Sequence, residues 1–200
     1  MAIDPVLVKQ AVDFHGHWCP GLAIGIRAAE WALKEMGKSP DEEIVAVVET
    51  DMCGVDAIQS LTGCTFGKGN LIHKDYGKSA FAFYRRKDGK SARLVARPDL
   101  HGEARVTLGR LNKKMQGEGL TEEEEKVWRE TRAAIAKRTM ESELEDLFKI
   151  EQAVDPIPKK ARVVSSLICE SCGESVMETR TRRFQNQVLC IPCFETMEKR

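Results

Sequence analysis

Apolar residues recur at helical spacing between Pro20 and Met36, where Leu22, Ile26, Ala29, Leu33 and Met36 form one stripe. The spacing predicts a helix over 20–36, with Pro20 at its first position and Gly37 just past its end. The run IVAVV at 44–48 is short and β-branched, the pattern of a buried strand. Glu49, Asp51 and Cys53 follow at once. A second helix is expected over 54–61, stopping at the loop GCTFGKGN, 63–70. Residues 79–86 and 91–96 read as a hairpin turned at Asp88-Gly89, and 104–108 as a further strand. Thr121, with Glu124 three residues on, fits a capping box and opens a helix to about Arg138. Residues 142–150 read as mainly helical, with Leu144, Leu147 and Phe148 on one side.

Helices first and a hairpin later give an α+β domain, not a βαβ series, and no GxGxxG follows a strand. The segment DPIPKK, 155–160, opposes helix and favours an extended linker. It divides the chain into an α+β domain, 1–155, and a linker with a small cysteine-rich domain, 156–200. The 200 residues are 42% hydrophobic, enough for a real core. Lys plus Arg and Asp plus Glu are both 31, which excludes a global basic field for nucleic acid. No window holds eighteen apolar residues, so no membrane span is expected. The first residues lack the basic and apolar regions of a signal peptide. Seven cysteines in such a chain point to metal ligation or reactive thiols in the cytoplasm rather than to disulfides.

Cys169 and Cys172 form one CxxC, and Cys190 and Cys193 another, seventeen residues apart. Four thiolates at that spacing satisfy tetrahedral zinc and leave no coordination position open, so this site is structural. Gly173 permits the tight turn after the first knuckle. Arg180, Arg182 and Arg183 lie between the knuckles and could meet phosphate, but Glu170, Glu174 and Glu178 interrupt the patch. Docking to a protein partner fits this composition better than nucleic acid. The segment CESCGE, the arginines and the CIPC knuckle resemble the zinc finger of the DksA/TraR regulators, which resemble partners of RNA polymerase.

His15, His17 and Cys19 fall within five residues, in FHGHWCPG. An extended 15–19 segment would place all three on one face. Imidazole and thiolate together suit zinc, nickel, iron or copper. Cys19 sits just before a helix start, whose amides favour thiolate. Cys53 is the natural complement and Cys64 a second candidate. The alternatives stay open: His15 as an interior hydrogen-bonding residue, Cys64 as a small buried hydrophobe. A metal-free Cys–His nucleophile pair would need a third orienting group, and Asp51 or Asp56 could serve. Glu49 and Asp51 could also act as acid, base or outer partners of a metal. Lys68, in GKGN, could contact an anion, or the segment is a solvated turn.

At HGHWCPGLAIGIRAA, and again at ETDMCGVDAIQSLTGCTFGKGNL over 49–71, the chain resembles the FmdE family, which takes its name from one of the subunits of formylmethanofuran dehydrogenase. The resemblance implies helices packed on an antiparallel sheet, followed by a four-cysteine zinc finger. It also implies a homodimer with intertwined C-terminal parts. His15, His17 and Cys19 match the HGHxCPG positions, Cys53 the cysteine of CGVDAIQ, and Cys64 and Lys68 those of GCTxGKGN. These would line one pocket for a second transition metal (zinc, nickel or iron). Cys19, His17, Lys68 and Asp51 are the candidate catalytic groups. The dehydrogenase itself relies on molybdopterin with tungsten or molybdenum, and this chain lacks the size for the subunit that binds it. The four C-terminal cysteines also lack ferredoxin spacing. The reading is therefore a metal-binding protein with a redox, metal-handling or small-molecule site, accompanying a molybdenum or tungsten enzyme. Its alternative is a non-enzymatic adaptor or regulator docking to a larger complex, or to nucleic acid, through the finger.

Overall fold

The computed structural model describes residues 3–38, 41 and 43–199. Two compact units divide it, residues 1–160 and 161–200. The first opens with α1 (Pro5–His15) and α2 (Pro20–Met36), followed by β1 (Ile44–Val48), α3 (Gly54–Thr62) and β2 (Leu71–His73). The hairpin β3 (Ala80–Arg85) and β4 (Ser91–Ala96) comes next, then α4 (Gly102–Gly117), α5 (Glu122–Glu141), the single turn α6 (Leu144–Leu147) and β5 (Phe148–Glu151). The sheet order is β2-β1-β3-β4-β5. Its pairs are antiparallel except for β2, an edge strand parallel to β1.

β1 is buried at every position because both faces of the sheet are covered. Ile44, Ala46 and Val48 pack against Ala28, Ala32 and Met36 of α2 and Ile58 of α3. Val45 and Val47 face the other way, toward Ala82, Tyr84 and Ala153. The segment around Ala153 is pinned there by polar contacts. Lys74 Nζ lies 2.5 Å from Asp155 Oδ2, and Arg86 Nη2 donates to the Pro158 carbonyl at 3.0 Å. The proline segment is thus a strap on the sheet.

α2 and α3 cross with their backbones in contact. A Cβ on Gly25 would stand 2.2 Å from the Gly54 carbonyl oxygen, so only glycine permits the approach. Arg27, 5% exposed, reaches from α2 to the end of α5. It donates to the carbonyls of Met140 at 3.0 Å and Ser142 at 2.7 Å, groups a helix C-terminus leaves unpaired. Burial pushes the carboxyl of its neighbour Glu30 up, against the opposing pull of Arg27.

Two expectations are corrected, and one element lies outside them. α1 is absent from the expected elements, although Asp4 caps it and Pro5 starts it. Residues 104–108 are helical, part of α4: Leu108, Leu111 and Met115 continue at helical spacing, which a five-residue window cannot reveal. Residues 142–150 are helical for one turn only. Phe148 and Ile150 then alternate with Lys149 and Glu151, and the strand pairs with β4 through Ala96↔Phe148 and Leu94↔Ile150.

The second unit comprises the hairpins β6 (Ser166–Ile168) with β7 (Ser175–Met177) and β8 (Thr181–Phe184) with β9 (Gln187–Cys190), then α7 (Ile191–Glu198). Gln185 and Asn186 turn the second hairpin at φ 47° and 64°, the left-handed pair a two-residue loop requires. Among the described residues no helix is long and apolar enough to cross a membrane.

Candidate metal centre

α1 ends at His15, and Gly16 caps it in the left-handed conformation, φ 90°. The chain turns there instead of running extended through 15–19, so the expected period of two does not apply. The turn brings the same three side chains together. Cys19 caps α2, its Sγ accepting from the Leu22 amide at 3.3 Å. His15 Nε2 lies 3.8 Å from Cys19 Sγ, and the rings of His15 and His17 are 4.4 Å apart. The ligand atoms of His15, His17 and Cys19 all lie within 4.8 Å of one another. Cys19 is buried, His15 half-buried and His17 exposed, so the group spans from core to surface.

Asp56 meets His15 on the side away from Cys19. It sits in the first turn of α3, with Oδ2 at 2.7 Å from His15 Nδ1. The carboxylate accepts, so Nδ1 carries the proton and the Nε2 lone pair faces Cys19. This is how a metal-ligating histidine is oriented, and equally how a base is held beside a thiol. The sequence marks Asp56 only as one of two possible orienting groups. Its signal is its place three residues after Cys53, in the first turn of a helix whose start carries another donor.

Cys53 immediately precedes α3 and comes in beside Cys19. A Cβ on Gly21 would meet Cys53 Cβ at 3.2 Å, Cys53 Sγ at 3.7 Å and Cys19 Sγ at 4.0 Å. Both sulfurs thus flank a glycine that keeps the space between the helices open. Burial, then the neighbouring Cys19, pushes the Cys53 thiol up. Among the described residues Cys53 lies outside the three-atom group and adjoins it.

The other expected residues are elsewhere. Cys64 is fully buried in the main core, its Sγ donating to the Ile44 carbonyl at 3.4 Å. It is a small core side chain and not a ligand of the group, and burial pushes its thiol up. Lys68 lies in the loop that leaves the C-terminal end of α3, whereas Cys53 immediately precedes the first residue of that helix. Its loop is organised around buried Asn70, which accepts from the Thr65 amide at 2.9 Å and donates to the Ile44 carbonyl at 3.0 Å. Asp51 is exposed between β1 and α3.

A cleft of about 310 Å³ opens beside the group, between residues 17–20 and the side chains of Trp128, Arg129, Arg132 and Ala133 on α5. In the sequence α5 reads only as a helix opened by a capping box, and nothing there marks these residues, whose role depends on where α5 is docked.

The donor set fits a transition metal. A thiol and two imidazoles match the ligand types of zinc, nickel and iron sites, and Asp56 supplies the outer partner that such histidines usually have. In the second unit the four cysteine sulfurs also lie within 4.8 Å of one another, with Cys172 Sγ and Cys190 Sγ 3.9 Å apart. The amides of Cys172 and Cys190 hold the Cys169 thiol down to about 6. Gly173, at φ 76°, makes the knuckle turn. This is a structural zinc site.

The family model described as FmdE, molybdenum formylmethanofuran dehydrogenase operon, matches residues 14–149, and that of the prokaryotic dksA/traR C4-type zinc finger matches residues 165–199. A probable S-adenosyl-L-methionine-binding protein of Archaeoglobus fulgidus is 34% identical over 200 residues, covering 94% of this chain. The chain spans about half the length of that relative, 52%. The crystal structure of a tungsten formylmethanofuran dehydrogenase FmdE-like protein from Syntrophus aciditrophicus has the same fold, with a TM-score of 0.64, 22% identity and full coverage of both chains. The chain belongs to the FmdE family and carries a dksA/traR C4-type zinc finger after its FmdE domain.

Proposed function

We propose that the FmdE domain is a metal-dependent centre acting on a small molecule held in the α5 cleft. The observation that carries this reading is the grouping of His15, His17 and Cys19 within 4.8 Å, at the wall of that cleft. Those residues would hold zinc, nickel or iron, with Cys53 as the fourth donor or as a thiol beside the ion. The ion would supply a Lewis acid with a position open to ligand, unlike the all-cysteine finger. Asp56 keeps His15 in the tautomer that ligates. Cys19 is buried and its Sγ accepts from the Leu22 amide, which holds the sulfur at a fixed point beside the cleft. A thiolate–imidazole centre is preserved in a reducing compartment, and the cytoplasm fits. The Archaeoglobus relative supplies a first ligand to test, S-adenosyl-L-methionine. The resemblance to the FmdE family makes a molybdenum or tungsten enzyme the partner to look for.

Metal analysis of anaerobically purified protein tests the proposal. Two metals per chain are expected, one of them zinc in the finger. Cys19→Ser should remove one without touching the other. A single metal per chain, lost only when the finger cysteines change, would refute the metal centre. A second reading would then take its place. The spacing of 3.8 Å from Cys19 to His15 and 2.7 Å from His15 to Asp56 also suits a metal-free thiol nucleophile with its base and orienting acid. In that case a thiol reagent should modify Cys19, and His15→Ala should slow the modification.

A further inference from the structure

The α5 wall of the cleft, opposite the His/Cys group, has a chemistry of its own. The indole of Trp128 is fixed, its Nε1 donating to Asn112 Oδ1 at 2.8 Å. The guanidinium of Arg132 lies over that ring, 4.4 Å from its centroid. Stacking uses the flat face of a guanidinium and leaves its N–H edge able to bind. Arg129 is tied to Glu125 at 3.1 Å, whereas among the described residues no carboxylate pairs with Arg132. Among the described residues no acidic side chain lines the cleft. A guanidinium stacked on an immobilised ring, in an acid-free cavity that also holds a thiol and an imidazole, is a ready fork for an oxyanion.

We infer that the cleft binds a small organic oxyanion, a carboxylate or phosphate monoester with an apolar body, its head on Arg132 and its body against Trp18 and Trp128. The volume of about 310 Å³ is at the lower end of ligand pockets and suits a small molecule. The anionic head on α5 would set the rest of the ligand against His17 and Cys19. The inference deepens the proposed function and rests on it only for the statement that His17 and Cys19 are the reactive side. Arg132 is thus a specificity-determining residue, and carboxylate and phosphate are told apart by the test.

The test is calorimetric titration of the full-length, metal-loaded protein with benzoate and, separately, with phenyl phosphate. One of the two should bind at one per chain. Arg132→Gln should weaken it about tenfold or more, the scale of a lost charge-assisted pair. Arg132→Lys keeps the charge without the fork and should restore only part of the affinity, which also guards against a variant that fails to fold. Arg105→Gln, on the exposed side of α4, should change nothing. Absence of binding for both probes at millimolar concentration, or binding unchanged in Arg132→Gln, overturns the inference. Cys19→Ser separates the two claims. If that variant keeps its full metal content, the metal reading fails while the Arg132 comparison still decides this one. If binding vanishes with the metal and survives in Arg132→Gln, the anion sits on the ion and the inference falls.

Discussion

Gly25 and Gly54 touch backbone to backbone, and this contact sets the distance between α2 and α3. A Cβ on Gly25 would lie 2.2 Å from the Gly54 carbonyl oxygen and 2.4 Å from its Cα. Those atoms are main chain and cannot rotate away. The same two helices carry Cys19 and Cys53 at their starts, and α3 carries Asp56. The crossing therefore fixes the site as well as the core. Gly25→Ala should cost at least about 2 kcal/mol, the scale of overpacking a tight interior. It should also lower occupancy of the His/Cys group. Urea unfolding with metal analysis checks both; an unchanged midpoint would show that the helices can part without penalty.

Cys172→Ser should release the finger zinc and loosen residues 165–195 to protease, because a unit of this size has little core beyond Leu189 and its cysteines. The thermal transition of residues 1–160 should not move. Limited proteolysis with zinc analysis distinguishes this from a finger that stands without metal.

The chain should form a homodimer. Val106, Met115 and Val127 leave apolar side chains exposed on α4 and α5. Light scattering at low micromolar concentration should give twice the chain mass of 22.4 kDa. The chain mass itself would refute the dimer.

Much of this molecule can be read from residue order, and the failures have physical causes. The helix at 20–36 is bounded by a proline and a glycine, and the strand at 44–48 is buried on both faces, so local signals and packing agree there. α1 escapes the pattern because its stripe of Leu7, Val8, Ala11 and Val12 spans less than two turns; Lys9 and Gln10 lie on the helix's other face. The site follows the same rule. His15, His17 and Cys19 are neighbours in sequence, and a turn at Gly16 gathers them as surely as a strand would have done. Cys64 belongs to a matching motif block but points into the core, because the loop after α3 turns its thiol toward Ile44. Trp128 and Arg132 lie more than a hundred residues away. Nothing in their own stretch announces a cleft, since it is the packing of α5 against α2 that brings them to the site, with Arg27 binding the carbonyls of Met140 and Ser142 at the end of α5.

Stability should fall in acid through Glu49. Its carboxylate receives Arg93 Nε at 2.6 Å and Nη2 at 2.8 Å, bridging the end of β1 to β4. Arg93's hydrogen bonds, opposed by burial, hold the Glu49 carboxyl below its ordinary value. A depressed folded-state value contributes stability above the unfolded value, about 4.3. That contribution disappears as pH falls through the lower, folded one. Glu49→Gln should cost about 1–3 kcal/mol at neutral pH, the range for a hydrogen bond to a charged, buried partner. The difference between the two proteins should shrink below roughly pH 4. Denaturant titrations across that range check the sign, and a gap that widens in acid would contradict it.

Asp56→Asn gives the sharpest test of how the centre is built. Asp56 touches no other member of the group, yet its Oδ2 sits 2.7 Å from His15 Nδ1 and decides which ring nitrogen faces Cys19. Asparagine has nearly the same shape, so the packing at the start of α3 should survive and the melting temperature should hardly change. Asparagine can still accept through its carbonyl, but its amide can also donate, which would put the lone pair on Nδ1 and the proton on Nε2. It also removes the full negative charge, so the hydrogen bond that holds the ring loses its charge assistance. Loss of such an outer partner typically lowers metal affinity about 10–100-fold. Competition against a chelator of known affinity should therefore show the N-terminal metal weakened by that factor, with the finger zinc unmoved. Asp51→Asn, in the exposed loop nearby, should leave both metals alone. If the two variants behave alike, the His15–Asp56 contact is a surface ion pair, and His15 is not held for ligation.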